Sequence, residues 1–261
     1  MTYCLALRVN DGIVFGADTR TNAGVDYVTS YRKLHVFGDF EDRIFVLLTA
    51  GNLGVSQEVC HWIHRDLLAT DGRESLRSAT HLFEAADYVG RVSRAVQERH
   101  AVAFTKSGIG GSTSIILGGQ IRGSAHNIFL IYPQGNYIRA SDDTPYLQIG
   151  ENKYGKPMLD RLLTQELSLA ETARLALVSL DGTIRSNVTV GLPIDLAIYE
   201  KDALKVGRHI RLDQHTPYLN GLRDSWQEGL ARVFSELPKF DWEHEVGAAV
   251  VPSTDEADQA T

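Results

Sequence analysis

Threonine follows the first methionine, and its side chain is small enough for methionine aminopeptidases to remove Met1 and leave Thr2 at the head of the chain. A threonine hydroxyl is a poor nucleophile at its own pKa and needs a base within hydrogen-bond reach. An N-terminal threonine carries one. Its free α-amine, with an ordinary pKa of roughly 7.7–8.0, accepts the hydroxyl proton near neutral pH without a histidine. An ammonium group beside that amine lowers its pKa by like-charge repulsion and enlarges the neutral, basic fraction. Lys33 is the candidate for that role, and Asp18 is the carboxylate that would hold it in place. The chemistry these residues permit is acyl transfer through the threonine oxygen.

Two hairpins are needed to bring them together. Residues 2–9 mix β-branched, aromatic and apolar types, Asn10-Asp11-Gly12 supplies a turn, and 13–15 resume the strand pattern, which places Thr2 and Asp18 at the end remote from the turn. Residues 33–37 and 44–48 form a second pair joined by a polar loop. The period then changes. Val55, Val59, Trp62, Ile63 and Leu67 recur at helical steps, as do Leu82, Phe83, Ala86, Val89, Val92 and Val96, with the polar Asp71-Gly72-Arg73 between the two helices.

Strands return at 114–117 and 128–132, and the turn 133–136 leads to a further strand at 137–139. A short helix over 156–163 precedes Ser168-Leu169-Ala170-Glu171, a capping box that opens a helix running to about Leu180. Further strands are expected at 188–190 and 196–199. Helices grouped in pairs between groups of strands do not suit βαβ crossovers. The order predicts an α+β fold of four layers, αββα, in which two antiparallel sheets pack together and helices cover each outer face.

Beyond Arg208 the character changes, so a catalytic domain over 1–208, a helical extension over 209–251 and an acidic flexible tail over 252–261 are expected. Leu219, Leu222, Trp226, Leu230, Val233, Phe234 and Leu237 form an apolar stripe on the extension, suited to packing on the domain or on a neighbouring subunit.

Composition narrows the partners. The 261 residues are 43% hydrophobic and 23% charged, an ordinary globular balance, and the net charge of −7 argues against nucleic acid, which demands a basic face. No apolar run approaches the roughly 20 residues that span a bilayer, and the first residues lack a basic segment followed by an apolar one. A cytoplasmic protein with no membrane partner is expected. Two cysteines, Cys4 and Cys60, are too few for a disulfide scaffold and fit reduced buried thiols.

Other motifs carry less. Ser30-Tyr31-Arg32-Lys33 has the Ser-x-x-Lys spacing of serine β-lactamases without their Lys-Thr-Gly strand. His61 and His64 share a helix face but lack a His-Glu-x-x-His motif or a cysteine pair, so no metal site is expected. Gly108-Ile109-Gly110-Gly111-Ser112 precedes a strand and reads as a turn, not a dinucleotide loop.

Thr2 together with Gly16-Ala17-Asp18-Thr19-Arg20, Arg32-Lys33-Leu34-His35 and Thr49-Ala50-Gly51 resembles the N-terminal nucleophile hydrolases of the proteasome β-subunit class, over roughly residues 2–200. The stretch 149–157, Ile-Gly-Glu-Asn-Lys-Tyr-Gly-Lys-Pro, and the stretch 185–191, Arg-Ser-Asn-Val-Thr-Val-Gly, are most similar to the bacterial ancestral β-subunit family, Anbu. The resemblance implies the sandwich fold of these hydrolases. It gives Thr2 Oγ as nucleophile, the Thr2 amine as base, Asp18 and Lys33 as tuning groups, and the Gly51 N–H as oxyanion donor. It also implies a pocket for the residue before the cleaved bond near Thr21, Tyr31 and Thr49.

One departure concerns the groups that support the amine. Where proteasome β-subunits place a serine after the glycine matched by Gly150, this chain has Glu151, and the segment from Asp181 to Ser186 is longer than the usual Asp-to-Ser spacing. Glu151, Asp181 and Ser186 are the candidates for that supporting role, and a carboxylate near the amine would raise its pKa. The resemblance implies a threonine-type endopeptidase acting on peptides or unfolded polypeptide within a homo-oligomeric ring or spiral. No metal or organic cofactor is implied. Any ATP-dependent unfoldase would be a separate protein, because no nucleotide-binding loop is present. The same machinery also suits a small-amide amidohydrolase, or an oligomeric scaffold with a weak nucleophile.

Overall fold

The computed structural model of the chain describes residues 1–22 and 28–245. β1 (Tyr3–Val9) and β2 (Gly12–Asp18) form the first hairpin, with Cys4 opposite Ala17 and Val9 opposite Gly12. The short strands β3 (Arg20–Asn22) and β4 (Val28–Ser30) pair with each other. β5 (Leu34–Phe37) and β6 (Arg43–Gly51) make the second hairpin. Then come α1 (Leu53–Leu68), α2 (Leu82–Ser107), β7 (Thr113–Ile121), β8 (Asn127–Ile131), β9 (Tyr137–Arg139) and β10 (Tyr146–Gly150). α3 (Lys156–Leu162), α4 (Leu169–Ser186), β11 (Ile194–Glu200), β12 (Val206–Leu212), α5 (Pro217–Ser235) and α6 (Asp241–Glu245) complete the order.

Two five-stranded antiparallel sheets result, one ordered β10-β1-β2-β11-β12 and the other β5-β6-β7-β8-β9. Strand alternation explains how they stack, since successive side chains point to opposite faces. On β1, Cys4 and Ala6 join the core between the sheets, whereas Tyr3, Leu5 and Leu7 join Ala173, Ala176, Leu177 and Leu180 of α4. On β6, Ile44, Val46, Leu48 and Ala50 face the other sheet, whereas Phe45 and Leu47 meet Val55, Val59 and Ile63 of α1 and Val89 and Val96 of α2. Three apolar layers thus separate four structural ones, and the αββα expectation is met.

Several boundaries differ from those expected. Residues 188–190 are not a strand. The Asn187 side chain accepts from both Thr189 N at 3.0 Å and Thr189 Oγ1 at 2.6 Å, and Asn187 O accepts from Val190 N at 3.0 Å, so local bonds turn the chain instead of extending it. α4 continues past Leu180 to Ser186, through Gly182, where a Cβ would stand 2.7 Å from Met158 Cε on α3.

Two compact units divide the chain, Met1–Arg223 and Asp224–Thr261. The first runs further than position 208, because residues 206–212 form β12 and pair with β11, and Leu212 and Leu219 are buried in the α4-side core. The expected cut at 208 falls within a strand. In the second unit, Leu230, Val233, Phe234 and Leu237 are exposed, and the rings of Phe240 and Trp242 stack at 5.6 Å. Of the apolar stripe, Leu219 is buried and Leu222 packs partly against the same core, whereas Leu230, Val233, Phe234 and Leu237 are exposed. The expected tail at 252–261, and residues 246–251 of the expected extension, lie outside the described residues. No described helix is long and apolar enough to cross a membrane.

Candidate active site

The first hairpin does what its arm lengths require: Thr2 stands just before β1 and Asp18 closes β2. Asp18 is fully buried, and its carboxylate gathers three donors: Tyr3 N on Oδ1 at 3.0 Å, Lys33 Nζ on Oδ1 at 2.7 Å, and Gly191 N on Oδ2 at 3.2 Å. Lys33, also buried, precedes β5 and gives a further hydrogen bond to Arg20 O at 2.6 Å. Its backbone carbonyl accepts from Thr49 N at 3.0 Å, which ties the ammonium to the end of β6. Burial pushes the Asp18 carboxyl above its ordinary range, and Lys33 with the two backbone donors pulls the other way.

Gly51 ends β6 with φ +117, and a Cβ there would lie 2.2 Å from Ser112 O. Only glycine fits that turn into α1. Asn52 then caps the helix, its side chain accepting from Val55 N at 3.2 Å, so the positive end of a 16-residue helix begins beside the strand end. A cleft of about 230 Å³ opens here, lined by Thr2, Thr21, Lys33, Thr49, Gly51 and Gly150, with Met1, Ala50, Leu53 and Ser56. The amino terminus, on Met1, is held below the ordinary amine value, first by burial and then by the Lys33 ammonium, with Asp18 and Glu151 acting in the opposite sense.

The supporting candidates separate. Glu151 is buried; its backbone N donates to Thr2 O at 2.7 Å, and its carboxylate accepts from Asn187 Nδ2 and Lys153 N, both at 3.0 Å. Asp181 instead turns to two guanidinium groups, accepting from Arg185 Nε at 2.9 Å and from Arg223 Nε. Ser186 is exposed at the end of α4. Of the expected pocket residues, Thr21 and Thr49 line the cleft; Tyr31 is exposed, does not line it, and gives its backbone N–H to Thr19 O.

Asn187 and Gly191, which grip Glu151 and Asp18, carry no expected role although both lie in the 185–191 stretch that bears the family pattern. Their partners are remote in sequence, so spacing alone does not reveal them. The other motifs resolve simply. Ser30 Oγ donates to Thr19 Oγ1 at 2.8 Å, the His64 ring lies 4.8 Å from that of Phe37, and Gly108 caps α2. Cys4 and Cys60 are both free and buried.

A proteasome subunit family model matches residues 2–199. Among solved structures, Anbu (ancestral β-subunit) from Yersinia bercovieri is 40% identical, with a TM-score of 0.86 over 92% of this chain and 99% of that one. The Gly-1 mutant of Anbu from Hyphomicrobium sp. strain MC1 is 43% identical, with a TM-score of 0.84 over 92% and 100% of the two chains. A structure described as the helical assembly of the Anbu complex from Pseudomonas aeruginosa is 40% identical, with a TM-score of 0.85 over 91% and 98%. No curated protein sequence matches. With the family match spanning the whole sandwich and these relatives aligned over almost their full length, the chain belongs to the proteasome subunit family, in its Anbu branch.

Proposed function

We propose that this protein is a threonine-type peptidase that hydrolyses peptide bonds with Thr2 as nucleophile once Met1 is removed. The observation that carries the proposal is a single cleft lined by Thr2, Lys33 and Gly51 above the buried Asp18–Lys33 ion pair. Thr2 Oγ attacks the carbonyl carbon and passes its proton to the Thr2 amine. The Gly51 N–H, at the head of α1, takes the oxyanion. The C–N bond then breaks, the ammonium returns the proton to the leaving nitrogen, and a threonyl ester remains. Water, deprotonated by the same amine, adds to that ester and releases the acid, restoring the hydroxyl. An amine still acylated by Met1 cannot serve as that base, so removal of Met1 is the activating step.

The cleft is smaller than the roughly 300–1,000 Å³ sites that engulf whole small ligands, which suits one side chain of an extended peptide. A homo-oligomer that encloses these clefts is the accompanying expectation. The helical assembly described for the Pseudomonas aeruginosa relative and the exposed Leu230, Val233 and Phe234 favour it. Intact mass after exposure to a peptide electrophile tests the chemistry. The expected result is loss of Met1 and one adduct on Thr2; retained Met1 without an adduct overturns the proposal.

A further inference from the structure

Strand parity sets the direction of the Gly51 N–H. In an antiparallel ladder, opposed residues alternate between hydrogen-bonded and non-bonded pairs. Asn52 N donates to Ser112 O at 3.0 Å, so Asn52 and Ser112 form a bonded pair, and Gly51 with Thr113, one step back, does not. The Thr113 N–H agrees: it is given to Gln97 Oε1 of α2 at 3.2 Å. On the other edge of β6, Thr49 N donates to Lys33 O, and the Gly51 N–H, two residues on, points the same way. There β5 pairs no further than Leu34 with Leu48, and Tyr31 gives its own N–H to Thr19 O. The Gly51 N–H therefore opens on the cleft that Gly51 lines with Thr2 and Lys33.

The glycine-rich loop 108–112, between α2 and β7, holds this end of β6, and Asn52 is bound to it twice. Its backbone N–H meets Ser112 O, and its side-chain Nδ2 donates to Gly110 O at 3.1 Å. Its Oδ1 accepts from Val55 N at 3.2 Å. Val55 N can only donate and Gly110 O can only accept, so the orientation of the amide is fixed at both ends. Capping α1 does not by itself call for asparagine, since aspartate and serine cap as well. Aspartate has no donor for Gly110 O, and serine is an atom too short to hold both partners. The loop is anchored from its far side too: a Cβ on Gly111 would stand 2.1 Å from Phe104 Cδ2, and Phe104 packs on the α1–α2 core. We propose that Asn52 is the positioning residue of the oxyanion donor, tying the head of α1 to loop 108–112 and so fixing the peptide that follows Gly51 and the aim of the Gly51 N–H. This rests on the peptidase reading of Thr2. An oxyanion donor works at about 2.7–3.1 Å, and a misplacement of about 1 Å costs about 100-fold in rate.

The test uses the full chain beginning at Thr2, freed by cleaving an N-terminal ubiquitin fusion, with a tripeptide epoxyketone as probe. Asn52→Ser and Asn52→Asp keep a capping oxygen and remove the bond to Gly110 O. Both should melt close to the parent and bind the probe with a KI within about threefold of it, yet form the Thr2 adduct about 10–100-fold more slowly at saturation. Hydrogen exchange followed by mass spectrometry should rise in the peptide covering 108–113 and stay unchanged in α4. Should Asn52→Ser not fold, Asn52→Asp carries the same comparison. A parent-like adduct rate in a folded variant overturns the proposal whatever the loop does. A weakened KI that accounts for the whole slowing overturns it as well. No adduct in the parent overturns the peptidase reading instead, and the exchange comparison then decides by itself whether Asn52 holds the loop.

Discussion

Lys33→Met keeps most of the side-chain volume and removes the charge from a pair in which Asp18 is 0% and Lys33 4% exposed. Removing one partner of a buried ion pair strands the other, at about 3–5 kcal/mol. For a chain of this size that lowers Tm by about 6–20 °C, at roughly 2–4 °C per kcal/mol. Part of the loss is not electrostatic, because Arg20 O also loses its donor. Adding Asp18→Asn to Lys33→Met should therefore recover about 1–3 kcal/mol, the range expected for residues in one network, without restoring the parent. The pH dependence has a definite sign. Without its cation the Asp18 carboxyl rises still further above its unfolded value, so the variant's deficit is greatest at neutral pH and shrinks as pH falls toward 4. Urea unfolding of parent, singles and double at pH 7 and pH 5 reads all of this. Additive losses in the double variant, with no recovery, would refute the idea of a buried coupled pair.

Two further outcomes are expected. Gly51→Ala forces a Cβ to 2.2 Å from Ser112 O at φ +117, which should cost on the order of 2–4 kcal/mol and abolish the Thr2 adduct; a variant melting like the parent would contradict that backbone account. His35 is held down to about 4, first by burial and then by His64 and Arg32. The unfolded chain thus takes up a proton near pH 6.5 that the fold refuses, and stability present above that pH is lost as pH falls toward 4, by at most about 1.4 kcal/mol per unit. His35→Gln should flatten that part of the stability–pH curve measured by urea unfolding.

The catalytic candidates were legible because their positions follow from hairpin arm length: Thr2 and Asp18 had to share one end once Asn10-Asp11-Gly12 was the turn. Gly51 was legible only through the family pattern, yet its φ and the approach of Ser112 O supply a backbone reason. One edge strand, β12, was hidden. β12 carries Arg208, His209 and Arg211 on an exposed sheet border, so the alternation that marks half-buried strands is absent. Val188-Thr189-Val190 misled in the opposite sense, since β-branched composition lost to a side-chain bond from Asn187. Asp181 and Ser186 could not be placed from spacing, because α4 runs on past Leu180 and carries Asp181 toward Arg185 and Arg223.

β1 is an interior strand, covered by β2 on one edge and by β10 on the other. Any residues joined ahead of Met1, an affinity tag included, must leave through the cleft mouth, where Met1 is 65% exposed. Purification handles therefore belong at the other end of the chain. The same layout sets a timetable during synthesis. β1 and β2 are complete by Asp18, but the second edge of β1 stays open until Tyr146–Gly150 emerge, roughly 6–26 s later at about 5–20 residues per second. Until then only β2 is available to pair with β1, so an aminopeptidase working near the ribosome would meet the terminus before β10 can pair beside it.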